Sequence, residues 1–362
     1  MITCTLGDIL TLQRGHDLPK IKMIDGPYPV MGSNGIIGWH TEYTEDFPCP
    51  SITIGRSGNV GTPHLCEKKA WAHNTALYVK DFKGNDPYYL FYLLQTLDLK
   101  KVAGGSAVPT LNRNHVYSLK VSISKNVRTQ RQIGEFLRCF DRKIQLNNQI
   151  NDYLEQLADT LFSQLVNSKS DLEKISLQQL AEIVKSSFNP LKSKEVALEH
   201  YSIPAYDEQK FPIFEMSTEI KSNKFMVNSD CVLFSKLNPE TKRVWRPLGL
   251  TNNAVCSTEF IVLKAHSPEL TDLLQAIVSS SDFHTFMCQH VTGTTGSRQR
   301  VSPNIALEYE FFLPLSKLAD FSKQVKSIYA LIAHNQKEAQ TLKEFRDSLL
   351  SKLLSGEIQL TK

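Results

Sequence analysis

Two stretches of the chain carry apolar residues at alternating spacings of three and four, the pattern of a long helix with one apolar seam. In the first stretch the seam positions are Ile133, Leu137, Phe140, Ile144, Asn147, Asn151, Leu154, Ala158, Leu161 and Leu165. In the second, shifted by a constant 188 residues, they are Phe321, Val325, Ile328, Ile332, Asn335, Ala339, Leu342, Arg346, Leu349 and Leu353. The shared register predicts a tandem duplication: globular unit, long helix, globular unit, long helix.

The segment before each helix has a different sequence pattern: short apolar runs are interrupted by glycine and proline. This pattern predicts short strands joined by turns. Examples in the first segment are Tyr28–Gly32, Ser51–Gly55 and Ala76–Val79. Asp86 and Pro87 predict a helix start, with an N-cap followed by proline in the first turn. The predicted boundaries are residues 1–128 and 169–318 for the globular units, and 129–168 and 319–362 for the helices.

The second globular unit repeats the order of sequence segments found in the first, but the spacing between the segments differs. Leu180–Ile183 is the predicted counterpart of Leu6–Ile9, an offset of 174, and Thr258–Val262 that of Thr75–Val79. The offset grows along the unit, which predicts insertions in its loops. Similar cores with divergent loops indicate one scaffold used for two different surfaces.

Each seam of about 33 residues predicts a rod of roughly 50 Å, at ~1.5 Å per residue. A seam of that length needs another helix, and packing about a pseudo-twofold axis would make the two copies antiparallel. Asn147 and Asn335 stand at equivalent seam positions and could fix the register by pairing, or be tolerated in a partly exposed helix. If the two globular units at the ends of such a rod bind DNA, they would contact two separate parts of a site, about one helical turn of the duplex apart.

Composition narrows the class of protein only slightly. The 362 residues are 41% hydrophobic and 22% charged, ordinary for a globular protein, and the net charge of +4 does not by itself identify a nucleic-acid binder. Seven cysteines without a CxxC pair favour reduced thiols. No signal-peptide pattern and no long apolar run is found, so we expect a cytoplasmic protein with no membrane partner.

Three segments carry a resemblance to a known family. The segment from Phe345 to Ile358 (FRDSLLSKLLSGEI) closely resembles the C-terminal signature of the specificity subunits of type I restriction–modification systems. The run from Gln130 to Asn148 resembles the central helix of that family, and Leu6–Ile9 with Arg14 and Gly15 resembles its usual opening. The Pro-Pro and Glu-Gln pairs common before each helix in the family are missing here.

The resemblance implies an α+β fold: two mixed α/β target-recognition domains separated by two long conserved helices that form an antiparallel coiled coil. It implies a non-catalytic subunit that reads a bipartite, asymmetric site on double-stranded DNA. Its expected partners are two methyltransferase subunits and the restriction/translocase subunits. No cofactor is expected on this chain; S-adenosylmethionine, ATP and magnesium belong to the partners.

Loops rich in basic residues and glycine supply the candidate DNA contacts, because arginine can bind guanine, and asparagine adenine, through two hydrogen bonds each. In the first unit the candidates are Arg56, Ser57, Asn59, Lys68, Lys69 and Arg113. In the second unit they are Lys236, Lys242, Arg243, Arg246, Arg298 and Arg300. Any single one could equally be a solvated charge on a turn, so the prediction rests on the two clusters together.

Three other motifs are weaker. Asp86-Pro87-Tyr88-Tyr89 resembles the catalytic motif of adenine methyltransferases but lacks its second proline, and helix capping explains it better. Glu240-Thr241-Lys242 with Asp230 fits a loose nuclease pattern, without a supporting acidic cluster. His284, Cys288 and His290 lack a fourth ligand at zinc-like spacing. The alternatives are therefore a self-sufficient methyltransferase or nuclease with degenerate motifs, or a coiled-coil scaffold that never binds DNA.

Overall fold

The computed structural model describes residues 1–104, 109–168, 171–292 and 299–360, and the chain divides into two compact units. The first unit consists of Met1–Ile144 together with Thr341–Lys362, and the second of Gln145–Gln340. Each long helix therefore contributes one part of its length to each unit. None of the described helices is long and apolar enough to cross a membrane.

Helices and sheets are mixed in both units. The helices are α1 (Leu6–Ile9), α2 (Pro87–Gln95), α3 (Arg113–Tyr117), α4 (Val127–Val166), α5 (Ile203–Gln209), α6 (Thr271–Ser279), α7 (Ser281–Gln289), α8 (Pro303–Leu307) and α9 (Leu318–Ser355). The two predicted long helices are confirmed as α4 and α9, and no residue of either predicted seam is solvent-exposed. The spacing of the apolar positions was therefore enough to predict both long helices and the side of each that is buried.

The first unit is built on a four-stranded antiparallel sheet in the order β2-β8-β5-β6. Beside it lie a three-stranded sheet, β4-β3-β7, and the pair β1-β9. The strands are β1 (Ile2–Thr5), β2 (Thr11–Arg14), β3 (Tyr28–Gly32), β4 (Gly35–His40), β5 (Ser51–Gly55), β6 (Pro63–Cys66), β7 (Trp71–Ala72), β8 (Ala76–Asp81) and β9 (Lys120–Ile123). The predicted strands at residues 28–32, 51–55 and 76–79 are confirmed.

The second unit repeats this arrangement. Its four-stranded sheet has the order β11-β19-β16-β17 and its pair is β10-β22. In its five-stranded sheet, β12-β15-β18-β13-β14, the part β18-β13-β14 corresponds to β7-β3-β4 and is extended by β12 and β15. The pair β20-β21 stands where the first unit has the single Gly104–Thr110 bridge. The strands are β10 (Leu172–Ser176), β11 (Ala181–Ile183), β12 (Ser187–Phe188), β13 (Ala197–Tyr201), β14 (Ile213–Met216), β15 (Lys224–Met226), β16 (Cys231–Ser235), β17 (Val244–Trp245), β18 (Ala254–Ser257), β19 (Phe260–Ala265), β20 (Val291–Thr292), β21 (Arg300–Val301) and β22 (Glu310–Pro314). The four-stranded sheets correspond strand for strand, so the duplication is present in the topology.

The predicted match between Leu6–Ile9 and Leu180–Ile183 is wrong. The Leu6 amide donates to the Leu119 carbonyl at the end of the β1-β9 pair, and the amide of Leu177 makes the equivalent bond to the Tyr309 carbonyl. Leu177 is thus the counterpart of Leu6, an offset of 171. The residues at 180–183 share a leucine–acid–isoleucine pattern with 6–9 but mostly form strand β11.

In the first unit, helix α2 packs end-on against α4 at a glycine. The Asp86 side chain caps α2 by accepting from the Tyr89 amide at 3.0 Å, and the Asp86 amide donates to Gln130 of α4 at 2.9 Å. A Cβ on Gly134 of α4 would lie 2.8 Å from both the Asp86 carboxylate and the Tyr89 amide nitrogen. The predicted N-cap is confirmed, and the Asp-Pro-Tyr-Tyr sequence has a packing role.

The helices contact each other in antiparallel order within the first unit. Ile133 and Leu137 of α4 share a core with Leu350, Leu353 and Leu354 of α9. The seam residue Arg346 forms an ion pair with Asp141, and Asp141 also accepts a hydrogen bond from the hydroxyl of Tyr92. The charge at this seam position is therefore compensated by Asp141 of the facing helix, whose carboxylate is also held by the Tyr92 hydroxyl of α2.

In the second unit the antiparallel contact contains the asparagines. Asn335 donates to the side-chain oxygen of Asn151 at 2.9 Å, while Asn147 donates to Glu338 at 2.7 Å and to the Asn335 backbone carbonyl at 3.4 Å. Asn147 and Asn335 meet, but the side-chain partner of Asn335 is Asn151. Further along, the buried rings of Phe162 and Phe321 lie 6.0 Å apart. Each buried ring contributes about 1.5–3 kcal/mol to stability.

Candidate nucleic-acid interface

The backbone of Arg56 is fixed from two sides. β5 ends at Gly55, opposite Ala76 of β8, and the next amide, that of Arg56, donates to the Thr75 carbonyl at 2.8 Å. The Arg56 carbonyl accepts from the amide of Leu111 at 2.9 Å. The loop then turns so tightly that a Cβ on Gly55 would lie 1.8 Å from the Asn59 carbonyl oxygen. The backbone of Arg56 is therefore held in one position at the end of the sheet, and the residue is half-buried.

Lys236 occupies the same point in the second unit. β16 ends at Ser235, opposite Phe260 of β19, and the Lys236 amide donates to the Glu259 carbonyl at 3.0 Å. The Lys236 carbonyl accepts from Val301 at 3.1 Å. A cation thus stands at the equivalent backbone position of each unit, held by equivalent hydrogen bonds.

A cleft of about 620 Å³ brings the predicted residues Arg56 and Arg113 of the first unit together. Arg14, at the end of β2, lines the same cleft, as does His115 on α3. Arg14 was not among the predicted contacts, although a basic residue just before Gly15 was a usable signal. Three guanidinium groups around one cleft form a surface that can bind an anionic backbone.

The Arg56 loop also carries Ser57 and Asn59. The Ser57 amide shares the Thr75 carbonyl with Arg56, at 3.2 Å, and Asn59 is exposed. The Asn59 side-chain oxygen accepts from the hydroxyl of Thr62 at 2.9 Å, which orients the amide. Both residues therefore lie beside the arginine at the loop tip.

Lys68 and Lys69 lie elsewhere in the first unit. In the β5-β6 hairpin, Ile54 pairs with Pro63 near the Arg56 loop, whereas Ser51 pairs with Cys66 at the opposite end. The two lysines follow Cys66, so they are separated from the Arg56 loop by the hairpin, about 10 Å at ~3.4 Å per residue. Lys69 donates to the hydroxyl of Tyr43 at 3.1 Å and lies 4.3 Å from that ring centre.

Two arginines of the second cluster bind carboxylates inside their own unit. Arg243 donates to both oxygens of Asp207, at 2.7 and 2.9 Å, and its side chain is 13% exposed. Arg246 donates to Asp272 at 2.5 Å and to the carbonyl of Ser229 at 3.1 Å. Both pairs fix the chain around Trp245, which packs on Tyr201 and is itself buried.

The remaining candidates of the second unit differ in environment. Lys242 is exposed and donates to the backbone carbonyl of Ser279. Arg300 donates through two nitrogens to Glu259, and its side chain is 47% exposed. The hydrogen bonds from Arg300 hold the pKa of the Glu259 carboxyl below its usual value. Arg298 lies outside the described residues.

His284 and Cys288 of α7, and His290 just after it, all contact other groups of the second unit. His284 contacts the Pro239 carbonyl at 2.7 Å and the Cys288 sulfur at 3.7 Å, and His290 contacts the carbonyl of Phe286. Across the described ranges, no group of three or more potential ligands is placed to hold a metal ion.

Comparison with known proteins gives a consistent group of relatives. Residues 2–156 match the family model described as the type I restriction modification DNA specificity domain. The chain is 25% identical over 312 residues to the MjaIX type I restriction enzyme specificity subunit of Methanocaldococcus jannaschii, covering 75% of this chain and 69% of the relative. It shares its fold with the type I restriction–modification system S subunit of M. genitalium, at a TM-score of 0.58 and 16% identity over 99% and 96% of the two chains.

Proposed function

We propose that this chain is a member of the family of type I restriction–modification specificity subunits, the non-catalytic subunit that gives such a complex its DNA sequence specificity. Each of its two globular units reads one half of a bipartite, asymmetric site on double-stranded DNA. The long helices dock two methyltransferase subunits, and restriction/translocase subunits complete the assembly. S-adenosylmethionine, ATP and magnesium bind the partners, and the complex acts in the cytoplasm.

The observation that carries this proposal is the pair of fixed cations, Arg56 and Lys236. A duplicated scaffold that presents a cation from the same backbone position in each copy suits two contacts with a repeating anionic polymer. The surroundings of the two cations differ: Arg56 shares its cleft with Arg14 and Arg113, whereas Lys236 lies beside Glu259. Similar scaffolds with different surroundings suit two half-sites of different sequence.

The test is to co-express the chain with its cognate methyltransferase subunit in a host without other methylation, and to read the modified motif by single-molecule sequencing. We expect two short specific blocks separated by a spacer of unspecified bases. Replacing residues 1–128 by the corresponding segment of another family member should change one block and leave the other intact. A contiguous motif, or a swap that changes both blocks, would contradict the proposal.

Two further measurements separate the alternatives. Methylation or cleavage of DNA by the isolated chain would identify an enzyme instead of a specificity subunit. Binding of the assembled complex to a duplex should weaken as salt rises, because phosphate contacts release counterions. A complex that assembles but never binds DNA would make the chain a scaffold.

A further inference from the structure

Arg300 is held by one edge of its guanidinium group. Its Nε donates to one oxygen of Glu259 and its Nη2 to the other, both at 3.0 Å. Guanidinium has five N–H donors in a planar fork, so this pairing leaves Nη1 and the second hydrogen of Nη2 on the opposite edge. Among the described residues that edge has no hydrogen-bond partner, and two parallel N–H groups of this kind have the geometry that binds O6 and N7 of guanine.

Exposure separates Arg300 from the other paired arginines of the unit. Arg243 makes the same two-nitrogen contact with Asp207, but its side chain is only 13% exposed. Arg246 is 27% exposed and also donates to a backbone carbonyl. The Arg300 side chain is 47% exposed. Of these three paired arginines, Arg300 has the most exposed side chain.

The backbone around the Arg300–Glu259 pair is fixed as well. Arg300 pairs with Thr292 in the β20-β21 ladder and forms a bridge with Leu237. The Glu259 carbonyl accepts from the amide of Lys236, the fixed cation of this unit. The arginine, its carboxylate and the neighbouring lysine therefore form one anchored group.

The first unit has a different pair of residues at these positions. Since Leu111 and Val301 make equivalent bonds, to the carbonyls of Arg56 and Lys236, the residue before each is also equivalent: Thr110 and Arg300. The counterpart of Glu259 is Thr75, whose carbonyl accepts from the Arg56 amide, so the match of Thr75 with Thr258 expected from the sequence is off by one residue. At this pair of positions only the second unit has an arginine and a carboxylate. Such a difference is expected of a residue that distinguishes one half-site from the other.

We propose that Arg300 reads a guanine in the half-site bound by the second unit, and that Glu259 is the positioning residue that holds its donor edge outward. This inference rests on the proposed function. Lys236, beside the pair, supplies a phosphate contact. A two-bond arginine–guanine contact corresponds to about 5- to 150-fold discrimination against another base pair.

The experiment compares wild type, Arg300→Lys and Glu259→Gln in complex with the methyltransferase subunit, by motif sequencing and by competition binding on duplexes that vary one base pair. Arg300→Lys keeps the charge but removes the planar fork. It should lose the preference for guanine at one position by about 5- to 150-fold while the other half-site is unchanged. Glu259→Gln should weaken the preference at that same position by a smaller factor.

Lys174→Arg is the control, because it exchanges the same two cations at another exposed ion pair of the second unit, Lys174–Glu310, and it should leave the preference at every position unchanged. A wild-type motif that survives unaltered in Arg300→Lys would overturn the inference while leaving the proposed function intact. Relaxation at a cytosine in Glu259→Gln alone would also overturn it, since Glu259 would then read the base itself. Absence of any bipartite motif in the wild type would instead count against the proposed function.

Discussion

Asn335 and Asn151 join the two long helices through a buried side-chain hydrogen bond of 2.9 Å. An unpaired buried amide keeps its full desolvation cost, so Asn335→Leu should lower the free energy of unfolding by about 1–3 kcal/mol. Adding Asn151→Leu should recover part of that loss, because both polar partners are then replaced. Urea unfolding of wild type, the single variants and the double variant measures the coupling; strictly additive effects would mean that the contact contributes nothing.

Two buried tyrosines of the second unit give a matched pair for the cost of removing a hydroxyl. Tyr201 donates to Glu199 at 2.5 Å and accepts from the Leu248 amide at 2.6 Å, whereas the Tyr329 hydroxyl has no hydrogen-bond partner among the described residues. Tyr201→Phe should therefore lower the free energy of unfolding by about 1–3 kcal/mol, and Tyr329→Phe should change it by less than about 0.5 kcal/mol. Equal effects in thermal or urea unfolding would contradict this assignment.

Gly134 should behave opposite to an ordinary helical glycine. Glycine to alanine within a helix usually stabilises by about 1 kcal/mol, but here the new methyl would meet the cap of α2 at 2.8 Å. Gly134→Ala should therefore destabilise the first unit, by about 1–3 kcal/mol. Ser327→Ala, at an exposed position of α9, is the control and should be neutral or slightly stabilising. A rise in melting temperature for Gly134→Ala would show that α2 is not packed on the glycine.

Arg56 and Lys68 should differ in their effect on DNA binding, because the hairpin separates them. Arg56→Ala should weaken binding by the assembled complex and reduce the slope of log affinity against log salt by about 1, as expected for one lost phosphate contact. Lys68→Ala removes the same charge at the far end of the β5-β6 hairpin and should leave the slope unchanged. Fluorescence anisotropy across a salt series measures the affinity and its slope for each variant. Equal slopes in Arg56→Ala and Lys68→Ala would contradict a DNA contact at Arg56 but not at Lys68.

The long helices were predictable because alternating spacings of three and four residues, repeated over more than thirty positions, are a redundant signal. The cap at Asp86 was predictable because proline and an acidic residue act locally. The true offset at the start of the repeat, 171, was not predictable, since the leucine–acid–isoleucine pattern at 180–183 matches that at 6–9 by chance. The two copies are aligned by equivalent backbone hydrogen bonds, which the amides of Leu6 and Leu177 donate. In each unit the accepting carbonyl lies more than a hundred residues further along the chain.

The candidate interface was predictable only as a region. Arg243 and Arg246 look like any basic residue on a loop, and the carboxylates that bind them, Asp207 and Asp272, lie 36 and 26 residues away. No local pattern records such a pairing. For the same reason the convergence of Arg14 with Arg56 required the register of β2, β8 and β5, which places separate segments at one sheet end.

The division of the helices between units has a consequence for biosynthesis. The first unit is assembled from residues 1–144 and 341–362, and the leucines at 350, 353 and 354 belong to its core. During synthesis the first unit therefore lacks part of its core until residues 341–362 have been translated. The contiguous second unit, residues 145–340, has all its own residues earlier. The unit whose residues are made first is therefore completed after the second unit.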